Sequence, residues 1–170
     1  SGESAVLRIA RTLAARAAGV EQASTLTQRF ARDAAQLTTL VDGANFQVGQ
    51  QVAQVNDLAT QIASLNSQIQ RVSVSGDHPN DLADQRDLLL DQLNRILPVT
   101  IDPKADGTVT VLVAGTALVE HDVARTMTTI PDGNGHSVPT WSSGGSVSLG
   151  TGQLGALVSV RDTTLVGYLD

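Results

Sequence analysis

Cysteine is absent from the 170 residues, which excludes disulfides, thiolate nucleophiles and cysteine-ligated zinc. Aromatic side chains are nearly absent as well, with one Trp, one Tyr and two Phe. The core must therefore be aliphatic, drawn from Ala, Val and Leu, and it suits long helices better than a deep ligand pocket. Basic clusters are also lacking, since 11 Lys and Arg residues are scattered among 17 Asp and Glu for a net charge of -6. Phosphate backbones need a basic footprint and single strands need aromatic platforms, so nucleic acid is not an expected partner. Anionic membrane surfaces are disfavoured for the same reason. No apolar run approaches the roughly 20 residues of a membrane span, and no signal peptide with a basic start and an apolar centre opens the sequence.

Catalytic signatures are missing too. No Gly-x-Ser-x-Gly elbow occurs, and the glycines at 144, 145, 150 and 152 lack the lysine of a phosphate loop. The three histidines, His78, His121 and His136, fall in predicted loops or strand ends. His78 lies near Asp77 and Asp81, and His121 lies between Glu120 and Asp122, but neither has the His-x-x-x-His spacing or the ligand count that zinc requires. All three are read as exposed loop histidines. Accordingly no catalytic residue, cofactor or metal site is expected.

What the chain does contain changes character half-way. Up to about Leu97 it is rich in Ala, Gln, Leu and Asp with a single proline, whereas Val, Thr, Gly and the other four prolines dominate afterwards. Helices are expected first and strands second. Val55, Leu58, Ile62, Leu65, Ile69 and Val72 alternate at three and four residues, the spacing of a coiled-coil seam. A second stripe runs through Leu26, Phe30, Leu37, Leu40 and Ala44, and 5–18 is helical in pattern. Two long helices packed as an antiparallel hairpin would use both stripes, with the reversal at Val41 to Gly49, where Asp42-Gly43 supplies turn chemistry.

After a break at Ser73 to Asn80, a shorter helix carries Leu82, Arg86, Leu89, Leu93 and Ile96, with Asn80 or Asp81 as its cap and Pro98 as its stop. The period then becomes two. Pro98 to Glu120 reads as a three-strand meander broken at Asp106-Gly107 and Ala114-Gly115, and its edge could accept a partner strand. The β region continues through Arg125 to Ile130, turns at Asp132-Gly133-Asn134-Gly135, and pairs back over Ser137 to Trp141. Ser142 to Ser146 reads as a loose loop, and a last helix follows Gly152 with Leu154, Leu157, Val158, Leu165 and Leu169 on one side.

The fold class is α+β, an elongated helical hairpin or bundle with a smaller β-rich outer domain. The division is 1–75 as a long helical rod segment, 76–150 as a helix plus the β-rich outer domain, and 151–170 as the returning helix of the rod. Among polar residues, Arg86 stands out because it falls on the apolar side of its helix with Leu82, Leu89 and Leu93. It is expected to lie partly buried, pair with a carboxylate or backbone carbonyls, and fix the register between helices. Arg161, beside Asp162, is expected to make a helix-to-helix or cap contact. Asn56 and Asn66 border the seam, either setting register or facing solvent. The packing residues singled out are Val55, Leu58, Ile62, Leu65, Ile69, Val72, Arg86 and Arg161.

Three segments carry a resemblance. They are 55–69 (VNDLATQIASLNSQI), then Pro79-Asn80-Asp81-Leu82-Ala83-Asp84-Gln85-Arg86-Asp87 with Leu93-Asn94, and finally Gly152-Gln153-Leu154-Gly155-Ala156-Leu157 with Arg161-Asp162 and Gly167-Tyr168-Leu169-Asp170. In this order, with a β-rich stretch between the second and third, they resemble the flagellar hook-associated protein 1 family of hook–filament junction proteins. The resemblance implies a secreted structural subunit of the bacterial flagellum that meets the hook protein and the adjacent hook-associated protein. It also implies self-association in a ring in the intact protein, and export without a cleavable signal. It implies an internal piece as well, lacking the terminal segments that drive axial stacking and expected to be monomeric by itself. The competing reading is an extracellular coiled-coil binding module, such as an adhesin or a secretion-system tip protein.

Overall fold

A computed structural model describes residues 2–76 and 79–165. Ser1, Asp77, His78 and the motif residues Gly167, Tyr168, Leu169 and Asp170 lie outside the described residues, as does the side chain of Leu165. The elements in order are α1 (Gly2–Val74), α2 (Asn80–Ile96), β1 (Thr100–Pro103), β2 (Val109–Val113), β3 (Thr116–Glu120), β4 (Val123–Ala124), β5 (Met127–Pro131), β6 (Ser137–Trp141), α3 (Gln153–Ser159) and a π-helical segment, Val160–Leu165. The α+β class agrees with the sequence pattern. Two compact units divide the chain, Ser1–Leu40 and Val41–Asp170.

One expectation fails at the largest scale. No reversal occurs at Val41 to Gly49, because α1 is continuous through it. Asp42-Gly43 is a turn signal only when the flanking segments favour leaving the helix. Here the neighbours are Leu, Val, Ala and Gln, and a helical glycine costs only about 1 kcal/mol relative to alanine. The chain reverses instead between α1 and α2, where Gly76 takes a φ of +86°.

In the first unit, Thr12, Thr27, Thr38 and Thr39 each donate a side-chain hydrogen bond to the carbonyl four residues back. Leu26, Phe30 and Leu40 of the expected second stripe are exposed in this unit, and Leu37 is half-buried. The apolar period was real, but a helix face needs a second element before it becomes a core, and this unit consists of α1 residues alone.

The second unit holds the core. Val48, Val52, Val55, Leu58, Ala59 and Ile62 of α1 cluster with Leu90, Leu93, Ile96 and Leu97, with strand residues such as Val111, Val113, Leu118, Val119 and Met127, and with Leu154 of α3. The buried face of α1 also includes Ala63, Leu65, Asn66 and Ile69. It is wider than a two-position seam, because both helical and strand residues pack on it. In α2 the buried positions are Arg86, Leu90, Leu93 and Ile96, so Leu90 takes the deep place expected of Leu89, which is half-buried with Leu82. Neither Asn80 nor Asp81 caps α2. Pro79 occupies the cap position and no side-chain cap bond forms, which suits a proline whose missing N–H is not needed there.

The meander is present, extended by a fourth short strand into an antiparallel sheet ordered β1-β2-β3-β4, while β5 and β6 pair as a separate hairpin. Between β2 and β3, Val111 faces Val119 and Leu112 faces Ala117, so Leu118 is an extra residue. This bulge explains how Leu118 and Val119, neighbours in sequence, are both fully buried. The two-residue turn Ala114-Gly115 has φ of +46° and +83°, both left-handed, as a primed hairpin turn demands. Alanine is strained there, so Ala114→Asn or Ala114→Gly is expected to raise stability by about 0.5–1 kcal/mol in urea unfolding. The expected loose loop at Ser142 to Ser146 is instead closed. The Trp141 N–H donates to the Gly145 carbonyl, the Gly144 N–H to Trp141 and the Ser142 N–H to Thr126, with Gly144 and Gly145 supplying positive φ.

Candidate functional site

The polar chemistry of the second unit gathers where α1 meets the strands. Asn45, Asn56 and Asn66 are spaced by 11 and 10 residues, about three helical turns each, which keeps them on one side of α1. Each presents its amide to a strand as another strand would. Asn56 Nδ2 donates to the Met127 carbonyl at 2.9 Å while its Oδ1 accepts from the Met127 N–H at 2.8 Å. Asn66 Nδ2 donates to the Val109 carbonyl at 2.8 Å and its Oδ1 accepts from the Val109 N–H at 3.1 Å. Asn45 Nδ2 donates to the Gly135 carbonyl at 3.1 Å, and its Oδ1 accepts from the Ser137 N–H at 2.8 Å. A helix cannot offer its own backbone sideways, since those groups are used along its axis, so side-chain amides complete the strand edges instead.

Two of the three clamps are locked by arginines. Arg86 Nη1 donates to Asn66 Oδ1 at 3.2 Å and to the Gly107 carbonyl at 2.8 Å. Arg161 Nη1 donates to Asn45 Oδ1 at 3.0 Å and to the Ser137 carbonyl at 2.7 Å, while its Nε donates to Asp162 at 2.7 Å. The arrangement repeats at the two ends. One guanidinium bridges an α1 amide and the carbonyl of the segment that amide holds. Asn66 is fully buried and has a fourth bond, from Nδ2 to the His121 carbonyl at 2.7 Å. Arg161 is 1% exposed, and burying its charge is tolerable because a carboxylate and two oxygens meet it. Arg86 is less fully matched. Its Nε has no hydrogen-bond partner, and Asp87 lies 3.9 Å away. Burial lowers its pKa, and Asp87 opposes that.

The singled-out residues are placed as follows. Val55, Leu58, Ile62, Leu65 and Ile69 are buried, Val72 is half-buried, and Arg86 and Arg161 are buried against α1 amides. Of the two options for Arg86, backbone carbonyl contact dominates, with an amide in place of a carboxylate. Asn56 and Asn66 face strands, not solvent. Asn45 escaped the sequence reading, although its distance from Asn56 nearly repeats that between Asn56 and Asn66. His136 is a correction. It is 8% exposed, not a free loop histidine, because Asp132 folds the turn back over it. His121 is exposed, with a positive φ of 54°. Among the described residues no group of three or more His, Asp or Glu is placed to hold a metal ion, and no helix is long and apolar enough to cross a membrane.

Two turn carboxylates, the half-buried Asp106 and the exposed Asp132, are held below their ordinary pKa. Asp106 accepts from the Thr108 hydroxyl and N–H and from Gln70. Asp132 accepts from the His136 and Asn134 N–H groups and sits near the charges of His136 and Arg161. A folded pKa below the unfolded one gives stability that is complete above the unfolded value and lost as pH falls through the folded value. The contribution of these turns should therefore be constant above about pH 5, begin to fall near the ordinary carboxylate value of about 4, and be lost only as pH drops through the lower folded value. Thermal melts of wild type and Asp106→Asn across pH 3–6 check this, with a smaller acid loss expected in the variant.

Residues 4–170 match the family model described as the flagellar hook-associated protein FlgK helical domain. The chain belongs to the FlgK family. It is 34% identical over 164 residues to flagellar hook-associated protein 1 of Salmonella typhimurium, covering 89% of this chain and 30% of that protein. It is 32% identical over 105 residues to the Bacillus subtilis protein of the same name, covering 60% and 21%. It also superposes on the flagellar hook junction protein FlgK of Burkholderia pseudomallei with a TM-score of 0.63 and 30% identity, over 76% of this chain and 25% of that one. The chain thus spans under a third of the length of these FlgK relatives. All three resemblance segments fall inside the matched range.

Proposed function

We propose that this chain is the helical-domain portion of a structural subunit that joins the flagellar hook to the filament, and that it is not an enzyme. The match of residues 4–170 to the FlgK helical domain is the observation that carries the reading. In physical terms the work is holding shape. Val55, Leu58, Ile62, Leu65, Ile69 and Val72 supply the apolar face, and Arg86 and Arg161 lock the amide clamps that tie strands to α1. The functional division proposed is a rod segment over 1–75, a helix and β-rich outer domain over 76–150, and a returning helix from 151.

The partners proposed are the hook protein and the adjacent hook-associated protein, with ring self-association and signal-less export belonging to the intact protein. Pull-down with the intact protein as bait checks this. Retention of both hook protein and the next hook-associated protein is expected. Retention of a non-flagellar surface ligand in their place would favour the adhesin-like alternative and sink the junction reading.

A further inference from the structure

His136 is the one described histidine with a buried side chain, and it faces two carboxylates through a single nitrogen. Its Nδ1 lies 3.5 Å from Asp132 Oδ2, in the β5–β6 turn, and 3.4 Å from Asp162 Oδ1, in the π-helical segment. Both carboxylates are fixed by other bonds. Asp132 Oδ1 accepts from two N–H groups of its own turn, and Asp162 Oδ1 accepts from Arg161 Nε. The Nη1 of Arg161, the cation of the cluster, is engaged with Asn45 and Ser137. The groups facing His136 are thus Asp132 from the turn, Asp162 and Arg161 from the π-helical segment, and beside them the neutral amide of Asn45 from α1. With a neutral imidazole the cluster carries one uncompensated negative charge. With an imidazolium it is balanced.

We infer that His136 is a proton-operated strap between the β5–β6 hairpin and the π-helical segment, closed when the imidazole is charged and loosened when it is neutral. The juxtaposition is not a consequence of core packing alone. An apolar side chain would fill the same space without bringing Asp132 and Asp162, from elements far apart in sequence, to one nitrogen. The loosened form retains the Asn45–Arg161 lock, so the expected change is local opening of the segment and not global unfolding.

Amide hydrogen exchange of the 170-residue chain tests the strap. After correction for intrinsic rates, the His136 amide and residues 160–163 should exchange about fivefold more slowly at pH 5.5 than at pH 7.5, the size expected of two partly exposed ion pairs. His136→Gln should abolish the difference, Asp162→Asn should reduce it, and His121→Gln should leave it unchanged. Should His136→Gln fail to fold, Asp162→Asn decides alone. A native chain with no pH difference at these amides, or an undiminished difference in either His136→Gln or Asp162→Asn, overturns the proposal.

Discussion

Asn66→Ala is expected to destabilise the chain by about 3–5 kcal/mol, because it strips partners from groups in β2, α2 and the β3–β4 turn at once. The Val109 N–H and carbonyl, the His121 carbonyl and Arg86 Nη1 all bond to the amide that is lost. Arg86 keeps only the Gly107 carbonyl and gains a second unsatisfied direction beside its already unpartnered Nε. Domains of this size have net stabilities of about 5–15 kcal/mol, so the loss is a large share of the total. Asn66→Asp separates geometry from charge. It preserves shape and supplies an anion to Arg86, but it cannot donate, and the Val109 and His121 carbonyls would face a buried carboxylate. Urea unfolding should rank wild type above both variants, and a loss under about 1 kcal/mol in Asn66→Ala would mean that the clamp is ornamental.

Gly152→Ala and Gly155→Ala carry the second large effect, about 3 kcal/mol each, through overpacking against backbone that cannot move aside. A Cβ on Gly152 would stand 2.5 Å from the Ile96 carbonyl oxygen and 2.8 Å from Pro98 Cδ, and a Cβ on Gly155 would press onto the Gly150 carbonyl oxygen. Gly152 has a φ of -70°, ordinary for any residue, so the requirement is close approach and not dihedral freedom. Here the end of α2 and the start of α3 touch backbone to backbone. The helical glycines of α1 are the internal contrast. Gly19, Gly43 and Gly49 have nothing within 4 Å of an added Cβ, and alanine there should stabilise by up to about 1 kcal/mol. Thermal melts of the two sets should move in opposite directions.

The same glycines mark what sequence periodicity can and cannot report. The face from Val55 to Ile69 was legible because burial imposes a period on any helix. The meander and the Asp132–Gly135 turn were legible because strand alternation and turn chemistry are local. Arg86 was conspicuous as a charge at an apolar phase. The continuity of α1 was not legible, since Asp42-Gly43 reads alike in a turn and in a helix whose neighbours outweigh it. Gly152 reads as a turn residue and Gly155 as a position within the last helix, because close approach depends on a carbonyl more than fifty residues away in the first case. Asn45 and His136 were hidden for a related reason. Their partners, Ser137, Arg161 and Asp162, meet α1 and the hairpin only after the fold forms, and a polar residue near an apolar stripe looks the same whether it clamps a strand or faces water.

The proposed role is structural: this domain would serve a hook–filament junction by holding strands to α1. Its most direct test is electron microscopy of flagella from a strain lacking its own junction protein and supplied with the intact protein that contains this domain. Wild-type protein should assemble at the hook tip and restore attached filaments, while the Asn66→Ala form should leave bare hooks or filaments that shear off readily. Absence of the wild-type protein from the hook tip, or filaments equally firm with Asn66→Ala, would contradict the account.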